Sequence, residues 1–128
     1  MLIAQSNLRP LFRFDAIVTV LSGLLLLAVP TLLADLLQLG SMPPTWMRII
    51  GAVWLVFGIW LFIIWNREYT KGIALENAII LAINADILIL AAIFGGFGMG
   101  ILGWISMLGT AAFIAFVAWH WWQLSKQL

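Results

Sequence analysis

The residues with chemistry to offer are the ionisable and amide side chains that interrupt otherwise apolar stretches: Arg13, Asp15, Asp35, Arg48, Glu76, Asn77, Asn84, Asp86 and His120. Depth along those stretches places Arg13, Asp15, Glu76, Asn77 and His120 toward one end. Asp35, Arg48 and Asp86 fall toward the other. Asp15, Glu76 and His120 make the best acid/base set, yet two carboxylates and one histidine near an interface commonly serve structure. Arg48 lies inside an apolar run, and no other cation is near the depth of Asp86. The spacing therefore predicts that Arg48 pairs with Asp86, Asp35 or both, as an ion pair locking helices or as an anion- or proton-handling site. Arg48, Asp86, Asp35, Asn84, Asn77 and Glu76 are the expected polar core or ligand-binding set. Arg13, Asp15 and His120 form a second polar cluster. Asp15 reads as an interfacial group solvated by headgroup water, His120 as an interfacial histidine among tryptophans, and Glu76 as a helix-start carboxylate favoured by the macrodipole.

Composition narrows the classes. The chain has 128 residues, 65% of them hydrophobic and 9% charged, against about 25% charged in a typical soluble domain. There is no cysteine and a single histidine. That leaves no disulfide, thiol nucleophile, thiolate cluster or multi-histidine metal site within one chain. Phosphate loops, dinucleotide fingerprints and nucleophile elbows are missing. A net charge of +1 gives no field for nucleic acid. No metal, cofactor or catalytic residue is expected.

These residues need elements to hold them. Apolar runs cover about residues 16–37, 46–65, 72–94 and 101–122. Each is roughly 20 residues, the length of helix that spans a hydrocarbon core. Period-2 alternation is absent, which argues against a β-barrel. Arg9 and Arg13 ahead of the first run have the layout of a signal peptide, but Leu32-Leu33-Ala34 lacks a small residue at the −3 position. The run is read as a retained span. Short connectors at 40–45, 66–71 and 95–100 predict an all-α, four-transmembrane-helix antiparallel bundle, up-down-up-down. With Glu76 as zero and about 100° per residue, Asn77, Asn84 and Asp86 complete a polar arc about half of the third helix wide. That arc is expected to face inward. Gly51 and Gly58 share a face of the second span and would admit a close neighbour, in the same chain or another. Gly96 and Gly100 read as a flexible turn rather than a dimerisation motif.

Charge sets the expected orientation. Arg9, Arg13, Arg67, Lys71 and Lys126 fall on one side and Arg48 on the other. The positive-inside rule then places both termini in the cytoplasm. Trp46 and Trp104 sit near the outer interface, and Trp65, Trp119, Trp121 and Trp122 near the inner one, as aromatic belts do. Trp54 and Trp60 lie deeper, as packing bulk or as the wall of a cavity.

Arg13-Phe14-Asp15-Ala16, Gly23-Leu24-Leu25-Leu26-Leu27, Leu32-Leu33-Ala34, Arg48-Ile49-Ile50-Gly51 and Asn84-Ala85-Asp86 together resemble the small four-span bacterial membrane proteins of DoxX-like layout. The resemblance implies a four-helix bundle in a bacterial inner membrane and little agreed activity. Some relatives are linked to quinone or sulfur redox complexes, and the lack of cysteine here departs from such a role. Without a catalytic constellation, the first expectation is a non-enzymatic accessory subunit or homo-oligomer that works through helix association among membrane lipids. The alternative is a binder or carrier of a lipid, quinone or other small apolar molecule within the bundle.

Overall fold

The computed structural model describes residues 9–64 and 70–127. Trp65, Arg67 and most of the second connector, counted above for orientation, lie outside the described residues. The described residues form five helices: α1 (Arg9–Ala28), α2 (Pro30–Leu36), α3 (Pro44–Ile64), α4 (Lys71–Phe94) and α5 (Ile101–Ser125). All but α2 are long and apolar enough to cross a bilayer. The protein is an all-α four-helix bundle and a small multi-pass integral membrane protein.

The first span differs from its expected bounds at both ends. It starts at Arg9, with Pro10 in the first turn, where the missing N–H costs nothing. It is also broken rather than continuous. Val29 leaves helical geometry at φ −137° and ψ 54°, and Pro30 opens α2. The Val29 N–H still reaches Leu25 O at 2.9 Å, so the break is a bend at the proline. Thr70 caps α4, accepting from the Ile73 N–H at 3.4 Å, a cap that frees the following residues for the span.

Two close helix pairs build the bundle, α1 with α3 and α4 with α5. Glycines set the first. A Cβ on Gly58 would lie 2.5 Å from Val20 Cγ2, one on Gly23 2.7 Å from Gly51 O, and one on Gly51 2.7 Å from Leu26 Cβ. Positions rise along α1 as they fall along α3, so these two helices are antiparallel. The neighbour that Gly51 and Gly58 admit is therefore in the same chain. Alanines set the second pair: Ala74, Ala78, Ala85 and Ala92 of α4 are buried, with Ala111 and Ala118 of α5. Without a hydrophobic drive in lipid, such small side chains gain association energy through close packing.

That choice overturns the expected polar face of α4. Asn77 is buried and Asn84 half-buried, but Glu76 and Asp86 are exposed. The alanine stripe, not the polar arc, forms the close contact, and the arc straddles its edges.

The remaining connectors are locked together. Ser41 N donates to Phe97 O at 2.7 Å, and Gly100 N to Gln38 O at 3.0 Å. The Leu102 N–H reaches Gln38 Oε1 at 3.4 Å. Gly40, Gly96 and Gly98 have positive φ, and so does Gln38. The 95–100 segment is thus an ordered clasp against 37–43, not a free turn. At the opposite, terminal end, Phe12 of α1 stacks on Trp121 of α5 with centroids 4.1 Å apart.

Candidate ligand site inside the bundle

Because the two helix pairs are each tightly closed, the space between them is not. A cavity of about 330 Å³ lies toward the terminal end, walled by all four long helices. A second of about 250 Å³ lies toward the clasp. Ser22, Trp54 and Thr110 line both, so the two adjoin at the level of the Trp54 indole.

The clasp-side cavity is almost wholly apolar. Leu26, Ile50, Ile87 and Met107 wall it, and Leu39, Met42 and Phe97 close it beneath the clasp. Trp46 stands edge-on to Phe97 at 6.0 Å. The same loop hydrogen bonds that pair the connectors therefore hold its roof.

The terminal-side cavity is mixed. Asp15, Thr19 and Ser22 stand at i, i+4 and i+7 on α1 and present one polar face. Thr19 Oγ1 donates to Asp15 Oδ1 at 3.4 Å. Asp15 is 2% exposed, and its Oδ2 has no hydrogen-bond partner. Across the cavity the Trp54 indole N–H donates to Asn84 Oδ1 at 3.4 Å. The Asn84 amide nitrogen returns a bond to Ile80 O at 2.8 Å, which fixes the amide's orientation. Phe14, Phe57 and Phe113 complete the walls with Trp54, and Phe14 meets Phe113 edge-on at 5.9 Å. Among the described residues no Lys, Arg or His lines either cavity.

The expected site residues scatter. Asn84 reaches the cavity; Asn77 is buried with its amide nitrogen unpartnered, but it does not line either space. Arg48, Asp35, Asp86, Glu76 and Arg13 are exposed. The expected Arg48 ion pair is not formed: among the described residues no carboxylate lies within 4.0 Å of its guanidinium. Arg48 points away from the α1–α3 contact because Met47 and Gly51 hold the inward face of that turn. Asp86 sits instead in a shallow outward groove with Ala82, Ala115 and Trp119. His120 packs against Phe116 and Trp119, at 4.5 and 5.0 Å, and no hydrogen bond links it to Asp15 or Glu76. Trp54 walls the cavity, whereas Trp60 is exposed.

Asp15 is the main correction. Reading the helix from Ala16 put it at an interface; a helix from Arg9 carries it well into the bundle and buries it. The i, i+4, i+7 spacing of Asp15, Thr19 and Ser22 was the available signal. Thr110, Phe57 and Phe113 carried none, since their meeting depends on how the two pairs dock. Among the described residues no group of three or more His, Asp or Glu side chains is placed to hold a metal. The arrangement can bind and orient a molecule with one polar end and one apolar end. Family models, curated proteins and solved structures return no match to this chain.

Proposed function

We propose that this protein binds a small amphipathic molecule between its two helix pairs, as a lipid or quinone binder or carrier would. One observation supports this above the rest: adjoining cavities whose polar side chains gather at one end while the other end is apolar. Their volumes approach the lower range of small-molecule sites, roughly 300–1,000 Å³. The opposed contact order of α1 and α3, with short connectors, supports the up-down-up-down arrangement. Arg9, Arg13, Lys71 and Lys126 at the terminal end then put both termini in the cytoplasm of a bacterial cell. The motifs quoted above keep the DoxX-like relationship as part of this reading.

The test is saturable binding of radiolabelled decan-1-ol to the full chain in phosphatidylcholine nanodiscs. A plugged variant, Ser22→Phe with Thr110→Phe, is the comparison. Both residues line both cavities. Wild type should show a saturable component that the plugged variant lacks. Equal, non-saturable uptake by both would defeat the reading.

A second reading, association as a homo-oligomer, has its own observation. Asp86 is exposed roughly 12 Å from the clasp end of α4, at about 1.5 Å per residue. A carboxylate facing lipid at that depth costs about 2.5–3.5 kcal/mol on insertion scales. A second copy covering the alanine-floored groove would remove that exposure. Crosslinking in native membranes through Ala82→Cys tests it: a dimer band is expected, and monomer alone would contradict it.

A further inference from the structure

Asp15 is the group that the proposed binding role leaves unexplained. A simple apolar occupant would not need it. A carboxylate has two oxygens and about four acceptor sites. Here Thr19 supplies a bond to Oδ1, and Oδ2 has nothing. The side chain is 2% exposed and lines the cavity. An unsatisfied buried acceptor is rare and marks a missing partner. Intramembrane carboxylates that persist are usually paired or functional.

Among the described residues no counter-charge stands at that place. Among the described residues no Lys, Arg or His lines it, and Arg13, exposed two residues earlier, is not part of the wall. An anionic head would meet a carboxylate with nothing to offset it. The walls around Asp15 are aromatic instead: Phe14, Trp54, Phe57 and Phe113. Ring faces attract cations, more so when desolvated. A carboxylate beside several aromatic rings is the environment that favours an ammonium head. The apolar clasp-side cavity then has the lining for a hydrocarbon tail, reached past Ser22, Trp54 and Thr110.

We therefore propose that the ligand is an amphipathic ammonium cation, with Asp15 as its counter-ion and these aromatic residues around its head. This rests on the intrabundle binding reading above and names the ligand class for that same site. Thr19 bonds Oδ1, which leaves Oδ2 as the carboxylate oxygen without a partner.

The experiment uses three probes with one tail: decyltrimethylammonium, decan-1-ol and decanoate. Each is titrated against the full chain in phosphatidylcholine nanodiscs, with the plugged Ser22→Phe, Thr110→Phe variant correcting for partition into lipid. Wild type should bind the ammonium at least about tenfold more tightly than the alcohol, and decanoate most weakly. Asp15→Asn should weaken ammonium binding until it lies within about twofold of decan-1-ol binding by the same variant. If Asp15→Asn does not fold, Asp15→Glu replaces it, and there the ammonium preference must persist. Equal binding of ammonium and alcohol by wild type would overturn the cation assignment while leaving the cavity reading intact. A preference that survives Asp15→Asn would overturn Asp15 as counter-ion. Loss of saturable binding for every probe would defeat both readings together.

Discussion

The Trp54 indole N–H donates to the side-chain oxygen of Asn84 at 3.4 Å, a bond that joins α3 to α4 across a gap which the backbones of those two helices leave open. Its two partners belong to different helix pairs, so it is one of the links that tie the pairs together. Trp54→Phe removes the donor and trims the indole to a phenyl ring. The hydrogen-bond share of the stability loss is expected to be about 0.5–1.5 kcal/mol, the usual range for one hydrogen bond in lipid or water. Combined with Asn84→Leu, the effects should be less than additive. Unfolding of the four members of the cycle in detergent measures this, and strict additivity would show that the bond carries nothing.

Gly58 should tolerate no side chain. A Cβ there lies 2.5 Å from Val20 Cγ2 and 3.1 Å from the Val20 backbone nitrogen, so α1 would have to move. Gly58→Val is expected to cost about 2–4 kcal/mol through overpacking. Gly109 is the internal control, because a Cβ there meets nothing within 4 Å. Gly109→Ala should be neutral or stabilising by up to about 1 kcal/mol, from helix propensity. Equal sensitivity at both positions, read by thermal melts, would show that the α1–α3 contact is looser than described.

Both pairs of positions bear on what was legible in advance. Four spans, short connectors and the shared face of Gly51 and Gly58 follow from apolar run length and helical periodicity, which are local properties. The inward face of α4 did not follow. Polarity favoured Glu76, Asn77 and Asp86; of these only Asn77 is buried, beside Ala74, Ala78 and Ala85, because close helix approach in lipid rewards small side chains. The Arg48 pairing failed for a related reason. Depth along a span can be counted, but direction around the helix is set by Met47 and Gly51. Asp15 was misplaced by the start of α1, and the cavity that it lines arises only when two closed pairs dock, which no local pattern encodes.

Arg48 and Asp86 should behave as independent surface-facing groups. Arg48→Leu and Asp86→Leu are expected to be additive within about 0.5 kcal/mol. A buried ion pair would instead make each single change cost about 3–5 kcal/mol and the double change less than their sum. Denaturant titrations of the two single variants and the double variant separate these outcomes.

The clasp should fail at Gly40 before it fails at Gly96 or Gly98. Gly40 has φ +67°, and a Cβ there collides with the Phe97 carbonyl. Gly96 and Gly98 also have positive φ but open space around them. Gly40→Ala should cost about 2–4 kcal/mol, combining the clash with left-handed strain, against about 1–2 kcal/mol for Gly98→Ala from strain alone. Decan-1-ol binding by Gly40→Ala should also weaken, because Leu39, Met42 and Phe97 roof the clasp-side cavity. A Gly40→Ala protein as stable as wild type would count against the ordered clasp.

Photolabelling with an alkyl diazirine, followed by mass-spectrometric mapping of the adducts, tests the central claim most directly. At limiting probe, adducts should appear at Ser22, Trp54 and Thr110, which line both cavities, and excess decan-1-ol should suppress them. Outward residues such as Val56 and Ile79, 69% and 57% exposed, should label in proportion to probe and resist that competition. Adducts confined to the outward residues, with Ser22, Trp54 and Thr110 untouched at every probe concentration, would contradict a binding site inside the bundle.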